Sequence, residues 1–196
     1  MSDQIDASNV VERLLKEAGV TDKLPGADDP ELAALDGRIA GQCEVIAKIT
    51  KRAGVEEQGG TRIVVRGWSF RISGTVWPLI VCTVKVVIAA HDPTGLSWKD
   101  ALEEAVEAIG DLASVIHRLD PAQQLVCTAI AGKQAEHKLA KIKPDGATVQ
   151  DMRDYYTTNK LQAPVTLDGV IKALVDKKVL ARSDDPVRGA FYHITF

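Results

Sequence analysis

Four histidines, His91, His117, His137 and His193, and three cysteines, Cys43, Cys82 and Cys127, are the side chains of this sequence best suited to metal binding or nucleophilic chemistry. Neither set shows metal-ligand spacing, within itself or with the other. Each cysteine lies far from the other two and within a segment rich in apolar residues, which predicts reduced core thiols. The adjacent acid-base couple His91-Asp92 sits in a proline turn, where aspartate is a good turn residue. The glycine-rich pieces EEQGGT and HDPTGL lack the lysine and the strand-to-helix context of a phosphate loop. Glu103, Glu104 and Glu107 cluster near the start of a predicted helix, where acidic side chains favour the dipole without catalytic duty. Trp68, Trp77 and Trp98 bracket a predicted sheet, so packing is the expected role for each. The expectation is a binding protein and not an enzyme, with no catalytic residue, metal or cofactor.

The balance of residues agrees. A composition of 45% hydrophobic and 26% charged residues over 196 positions is that of an ordinary globular chain. MSDQIDASNV carries neither a basic start nor an apolar run, so no secretory signal is expected and cytoplasmic residence follows. The longest apolar stretch, 76–90, contains Pro78, Thr83 and Lys85 and is too short to span a bilayer. Residues 1–118 hold 13 Lys and Arg against 18 Asp and Glu, net −5; residues 119–196 hold 11 against 9, net +2. The second part agrees in sign with nucleic-acid binding without forming a strong basic patch.

The elements that must carry any function are marked by short polar residues ahead of periodic apolar runs. A first helix begins near Asp6 or Ser8, with Val10, Val11, Leu14 and Leu15 as its stripe. Asp29-Pro30, a cap followed by a proline at the first helical position, opens a long helix to about Arg52. From Thr61 to Ala90 the pattern alternates. It predicts one strand through Ile63, Val65, Trp68, Phe70 and Ile72 with a bulge at Gly67, then a turn at Ser73-Gly74-Thr75. A return strand through Ile80, Cys82, Val84, Val86 and Ile88 would complete the hairpin. Two strands alone are marginal, so a third strand or a partner is implied. Ser97 caps a further helix from Trp98 to about Leu119.

The two long helices carry matching seams. Leu32, Leu35, Ile39, Gln42, Ile46 and Ile49 repeat at the three-four spacing of a coiled coil, as do Leu102, Ala105, Ile109, Leu112, Ile116 and Leu119. Most such stripes are core. The sharper alternative makes Leu35, Ile39, Ile46, Leu102, Ile109, Leu112 and Ile116 a protein interface that builds a homodimer, with Gln42 setting its register.

Asp120-Pro121 repeats the cap-then-proline device and opens a helix through Leu125, Val126, Ala129 and Ile130. Thr148 caps a short helix bearing Met152, Tyr155 and Tyr156. Thr166 is the expected cap of LDGVIKALVDKKV, and Ala181-Arg182 starts a strand that pairs with 190–196 across SDDPVRG. Helix, helix, helix, hairpin, together with KALVDKKVLAR, resembles the winged helix-turn-helix superfamily over residues 120–196. The fold expected is α+β: an N-terminal domain, 1–119, of helices with a small antiparallel sheet, then a winged-helix-like domain, 120–196. The resemblance implies a partner that is either double-stranded DNA or a protein. In the DNA version the third helix enters the major groove and the wing touches phosphates. Lys172, Lys177, Arg182, Arg188 and Lys160 would then be the nucleic-acid-binding residues of a dimeric regulator or accessory factor, with Lys133, Lys138, Lys141 and Lys143 adding backbone contacts. Asp168 and Gly169 open that helix where base-reading side chains usually stand, and Asp184 and Asp185 put the wrong sign in the wing. In the protein version the same module and the seams are docking surfaces of a structural or adaptor subunit.

Overall fold

The computed structural model describes residues 4–19, 30–52, 60–65, 68–91 and 98–195. Among these the protein is mixed α+β, with seven α-helices and two three-stranded sheets. Strand β1 (Gln4–Asp6) leads through a 3-10 turn, Ala7–Asn9, into α1 (Val10–Glu17). Asp6 accepts from the Ser8 N–H and Oγ–H and so caps the turn. Helix α2 (Pro30–Arg52) follows; the caps expected at Asp29 and Ser97 lie outside the described residues.

The hairpin differs from the one expected. Strands β2 (Thr61–Val65) and β3 (Trp68–Ile72) pair antiparallel with Val65 opposite Trp68 and Ile63 opposite Phe70, so the chain reverses between them. The bulge expected at Gly67 lies outside the described residues. The third strand is β1, parallel to β2 with Ile5 beside Ile63, and the buried side chains of Ile5, Ile63 and Ile72 turn one face of the sheet to the core.

The expected return strand is a helix, α3 (Val76–Ala90). Eight of its fifteen residues are β-branched, which suggests a strand, but both faces of the run are apolar and fifteen residues exceed an ordinary strand. Residues 79 to 84 are buried without interruption, so α3 is a central helix covered on all sides, and a helix of that kind has no polar face to reveal its period. The Ser73 carbonyl accepts from the N–H groups of Val76 and Trp77, and Pro78 falls in the first turn, where its missing donor costs nothing.

Helix α4 (Trp98–Ile116) packs against α2 and α3, and α5 (Pro121–Leu139) packs along α3. The contacts of α5 with α3 join the two expected domains: one contiguous core runs from Ile5 to Leu180 across residue 119. The seam residues Leu35, Ile39, Ile46, Leu102, Ile109, Leu112 and Ile116 are all buried inside this core. They close α2 on α4 within one chain and are not open to a second copy. Gln42 lies over Gly110, where an added Cβ would come within 3.4 Å of its amide nitrogen; it spaces two helices of the same subunit.

The remaining elements are β4 (Ala147–Thr148), α6 (Val149–Thr158), α7 (Leu167–Asp176), β5 (Leu180–Asp185) and β6 (Gly189–Ile194). Strand β6 is central in the second sheet, paired antiparallel with β4 and β5. Helices α5, α6 and α7 end in one device, a lysine in the left-handed region: Lys141 at φ 55°, Lys160 at 54° and Lys178 at 58°. In each case its N–H and the next bond back to the last turn, as in Ile142 N–H to His137 O at 2.9 Å. The following residue is exposed at Ile142 and Leu161 and buried at Val179. Among the described residues no helix is long and apolar enough to cross a membrane.

Candidate docking surface

Local hydrogen bonding sets the ends of α5 and α6. The Asp120 carboxylate accepts from the Gln123 N–H at 2.9 Å while the Gln123 side chain accepts from the Asp120 N–H at 3.3 Å, a reciprocal box ahead of Pro121. Thr148 and Asp151 do the same for α6, at 3.1 and 2.8 Å. At α7 the expected cap is absent. Thr166 occupies the position ahead of the helix but makes no side-chain capping bond.

Of the five cations expected to meet phosphates, two are built into the fold. Arg188, at the turn between β5 and β6, points inward and donates to the Pro144 carbonyl, to the Gly146 carbonyl at 3.5 Å and to the Asp151 carboxylate at 3.2 Å. It thereby ties the hairpin to the cap of α6. Burial pushes the Asp151 carboxyl up, but the Thr148 hydrogen bonds and the neighbouring His137 and Arg188 outweigh it and hold the group below the usual carboxylate value. His137 donates its Nδ1–H to the Gly146 carbonyl at 3.0 Å, so it supports the same loop. Lys177 donates its ammonium to the Arg118 carbonyl at 2.6 Å and to Gln123 Oε1 at 2.8 Å, which fastens the end of α7 to the α4–α5 junction.

The other three face outward. Arg182 is exposed and pairs with Asp184 at 3.0 Å. Lys160 and Lys172 are exposed, and neither has an ion pair among the described residues. The two wing aspartates have local work. Asp184 neutralises Arg182, and Asp185 accepts from the N–H groups of Val187 at 2.9 Å and Arg188 at 2.8 Å, which shapes the turn and holds its carboxyl below the ordinary value. Lys138 is likewise paired, with Asp145 at 2.8 Å, and Lys133 with Glu136.

Two apolar side chains stand out on this surface. Val165, in the turn before α7, is 98% exposed and Val187, at the hairpin tip, is 92% exposed. The turn at Val165 borders a groove of about 500 Å³ lined by Arg153, Ala163 to Leu167, Asp168 and Gly169. The sequence held a signal for both, a valine directly after proline inside a polar turn (QAPVT and DDPVR), that periodicity does not register.

The thiols of Cys43, Cys82 and Cys127 are free and buried, and burial pushes all three up, Cys43 and Cys127 to about 12, so none is poised as a nucleophile. His91 pairs with Glu104. Among the described residues no group of three or more His, Cys, Asp and Glu is placed to hold a metal ion. Compared with known proteins, the chain matches no family model, no curated protein and no solved structure.

Proposed function

We propose that this chain is a non-enzymatic binding protein, a structural or adaptor subunit, whose residues 120–196 form a winged helix-turn-helix module that docks another protein. The order α5, β4, α6, α7, β5, β6 supports the module, with β4 and the hairpin sharing one sheet. The observation that carries the choice of partner is the inward course of Arg188. To touch a phosphate it would have to leave Asp151 and two backbone carbonyls, which would then be left without that donor. Lys177 is committed in the same way. What the surface offers instead is Val165 and Val187, nearly fully in water, with Asp168 and Asp176 on the exposed side of α7. Apolar side chains held out on a rigid scaffold suit a protein partner better than a polyanion.

The second reading is duplex DNA, favoured by one observation: Lys160 and Lys172 are exposed without ion pairs among the described residues. Fluorescence anisotropy with duplex DNA at two salt concentrations separates the two. The protein-docking reading expects no salt-sensitive binding and no effect of Lys172→Glu. Low-salt binding that Lys172→Glu weakens would replace it with the DNA reading. Photo-cross-linkers placed at residues 165 and 187 should trap one partner, and Val165→Asp should abolish that product.

A further inference from the structure

We propose that copies of this chain associate head to tail, with a lysine-flanked apolar knob at the end of α5 seating in the groove between α2 and α4 of the next copy. The knob is Leu139, 52% exposed, and Ile142, 42% exposed, three residues apart around the left-handed Lys141. Lysines near a helix C-terminus are ordinarily explained by the dipole, which accounts for Lys138 in the last turn but not for two large apolar side chains held in water beside it. Lys138 is paired with Asp145, whereas Lys143 has no ion pair among the described residues.

The receiving surface is a groove of about 360 Å³ lined by Gly37, Arg38, Gly41, Gln42, Val45, Val106 and Glu107. Val45 at its edge is 46% exposed. On the α4 side the exposed Glu107 and Asp111 have no ion pair among the described residues, and Arg38 is engaged by Glu103 at 3.9 Å. The groove is therefore floored by glycines with Val45 at its edge, its one cation held by Glu103, and the Glu107 carboxylate lies on its α4 rim with Asp111 four residues further along that helix, the complement of a knob that is apolar at its tip and positive beside it. The same complement appears in the whole chain, net −5 before residue 119 and net +2 after it. One such contact covers Leu139, Ile142 and Val45, three of the six large apolar side chains exposed among the described residues. A second copy is the occupant because both halves of the match lie on this chain. Two different patches meet, so the contact is heterologous and repeats into an open chain or a ring. It uses neither Val165 nor Val187, and its failure leaves the proposed function untouched.

Sedimentation velocity on the full chain, over a concentration series to about 1 mM at low and high salt, reads this directly. Mass should rise with concentration and fall with salt. Ile142→Glu disables the knob. Gly41→Gln fills the groove at a helical position where an added Cβ meets nothing within 4 Å, so its fold should survive. Each variant should weaken association by about tenfold or more. An equimolar mixture of the two retains one intact knob and one intact groove and should stop at a heterodimer. A wild-type chain that stays monomeric at low salt overturns the proposal, even if it binds an added polyglutamate peptide. So does association that neither variant weakens, or a mixture that remains monomeric.

Discussion

A carboxylic acid shut away from water must find donors or keep its proton, and Asp36 does some of each. It stands on α2, 4% exposed, and accepts from the Val11 N–H at 2.8 Å, so one helix caps the start of another. Burial raises its pKa to about 6; the N–H groups of Val11 and Val10 oppose that rise, while Glu12 and Asp6 add to it. Because the folded value lies above the ordinary aspartate value of 3.8, the folded protein holds this proton more tightly than the unfolded chain. The resulting stability is complete below about pH 4 and is lost as pH rises through about 6, a change of about 2 to 3 kcal/mol. Asp36→Asn keeps an oxygen for Val11 but removes the titration. Its unfolding free energy, measured by urea denaturation, should therefore fall less than that of the wild type between pH 4 and pH 7. Equal slopes for the two proteins would refute the assignment. Nothing in the sequence around Asp36 distinguishes it from Glu31 and Glu44, the other acids of α2, because its partner lies 25 residues away.

At the scale of elements, legibility followed the range of the interactions. The boxes at Asp120 and Thr148 close within three residues, so the sequence alone locates both helix starts. Helix α3 was misleading for the opposite reason: its conformation is decided by the helices that cover it, and β-branched propensity yields to that burial. The C-terminal hairpin was legible as a hairpin, but the inward course of Arg188 was not, since its acceptors Pro144, Gly146 and Asp151 are 37 to 44 residues away. Arg188→Met tests that role. It removes the tie between the hairpin and the α6 cap and leaves Asp151 short of a charge partner, at a cost of about 1 to 3 kcal/mol in stability. Thermal unfolding should register this loss, whereas a purely phosphate-binding arginine would be replaced without lowering Tm.

For the whole molecule, the question is whether residues 1–119 and 120–196 behave as two units. The core crosses the boundary through the α3–α5 face, which predicts cooperative unfolding of the chain in one step. The sequence supplies its own probes: the tryptophans, Trp68, Trp77 and Trp98, all precede the boundary, and the tyrosines, Tyr155, Tyr156 and Tyr192, all follow it. Second-derivative absorbance should give coincident denaturation midpoints for the two ring types. Separate midpoints would show two units. The strong cap and the proline at Asp120-Pro121 mark where a helix starts, and say nothing about what that helix packs against.

By themselves the residues specify an α+β protein, most of its helix starts and the helix, helix, helix, hairpin order of residues 120–196, because caps, turns and amphipathic periods act over a few positions. They also contained both coiled-coil seams without saying whether one chain or two would close them. Packing settled that, along with the helical state of 76–90 and the direction in which Arg188 and Lys177 point. These outcomes depend on which distant surfaces meet and exclude water, and the free energy of that meeting belongs to the assembled core rather than to any segment of it.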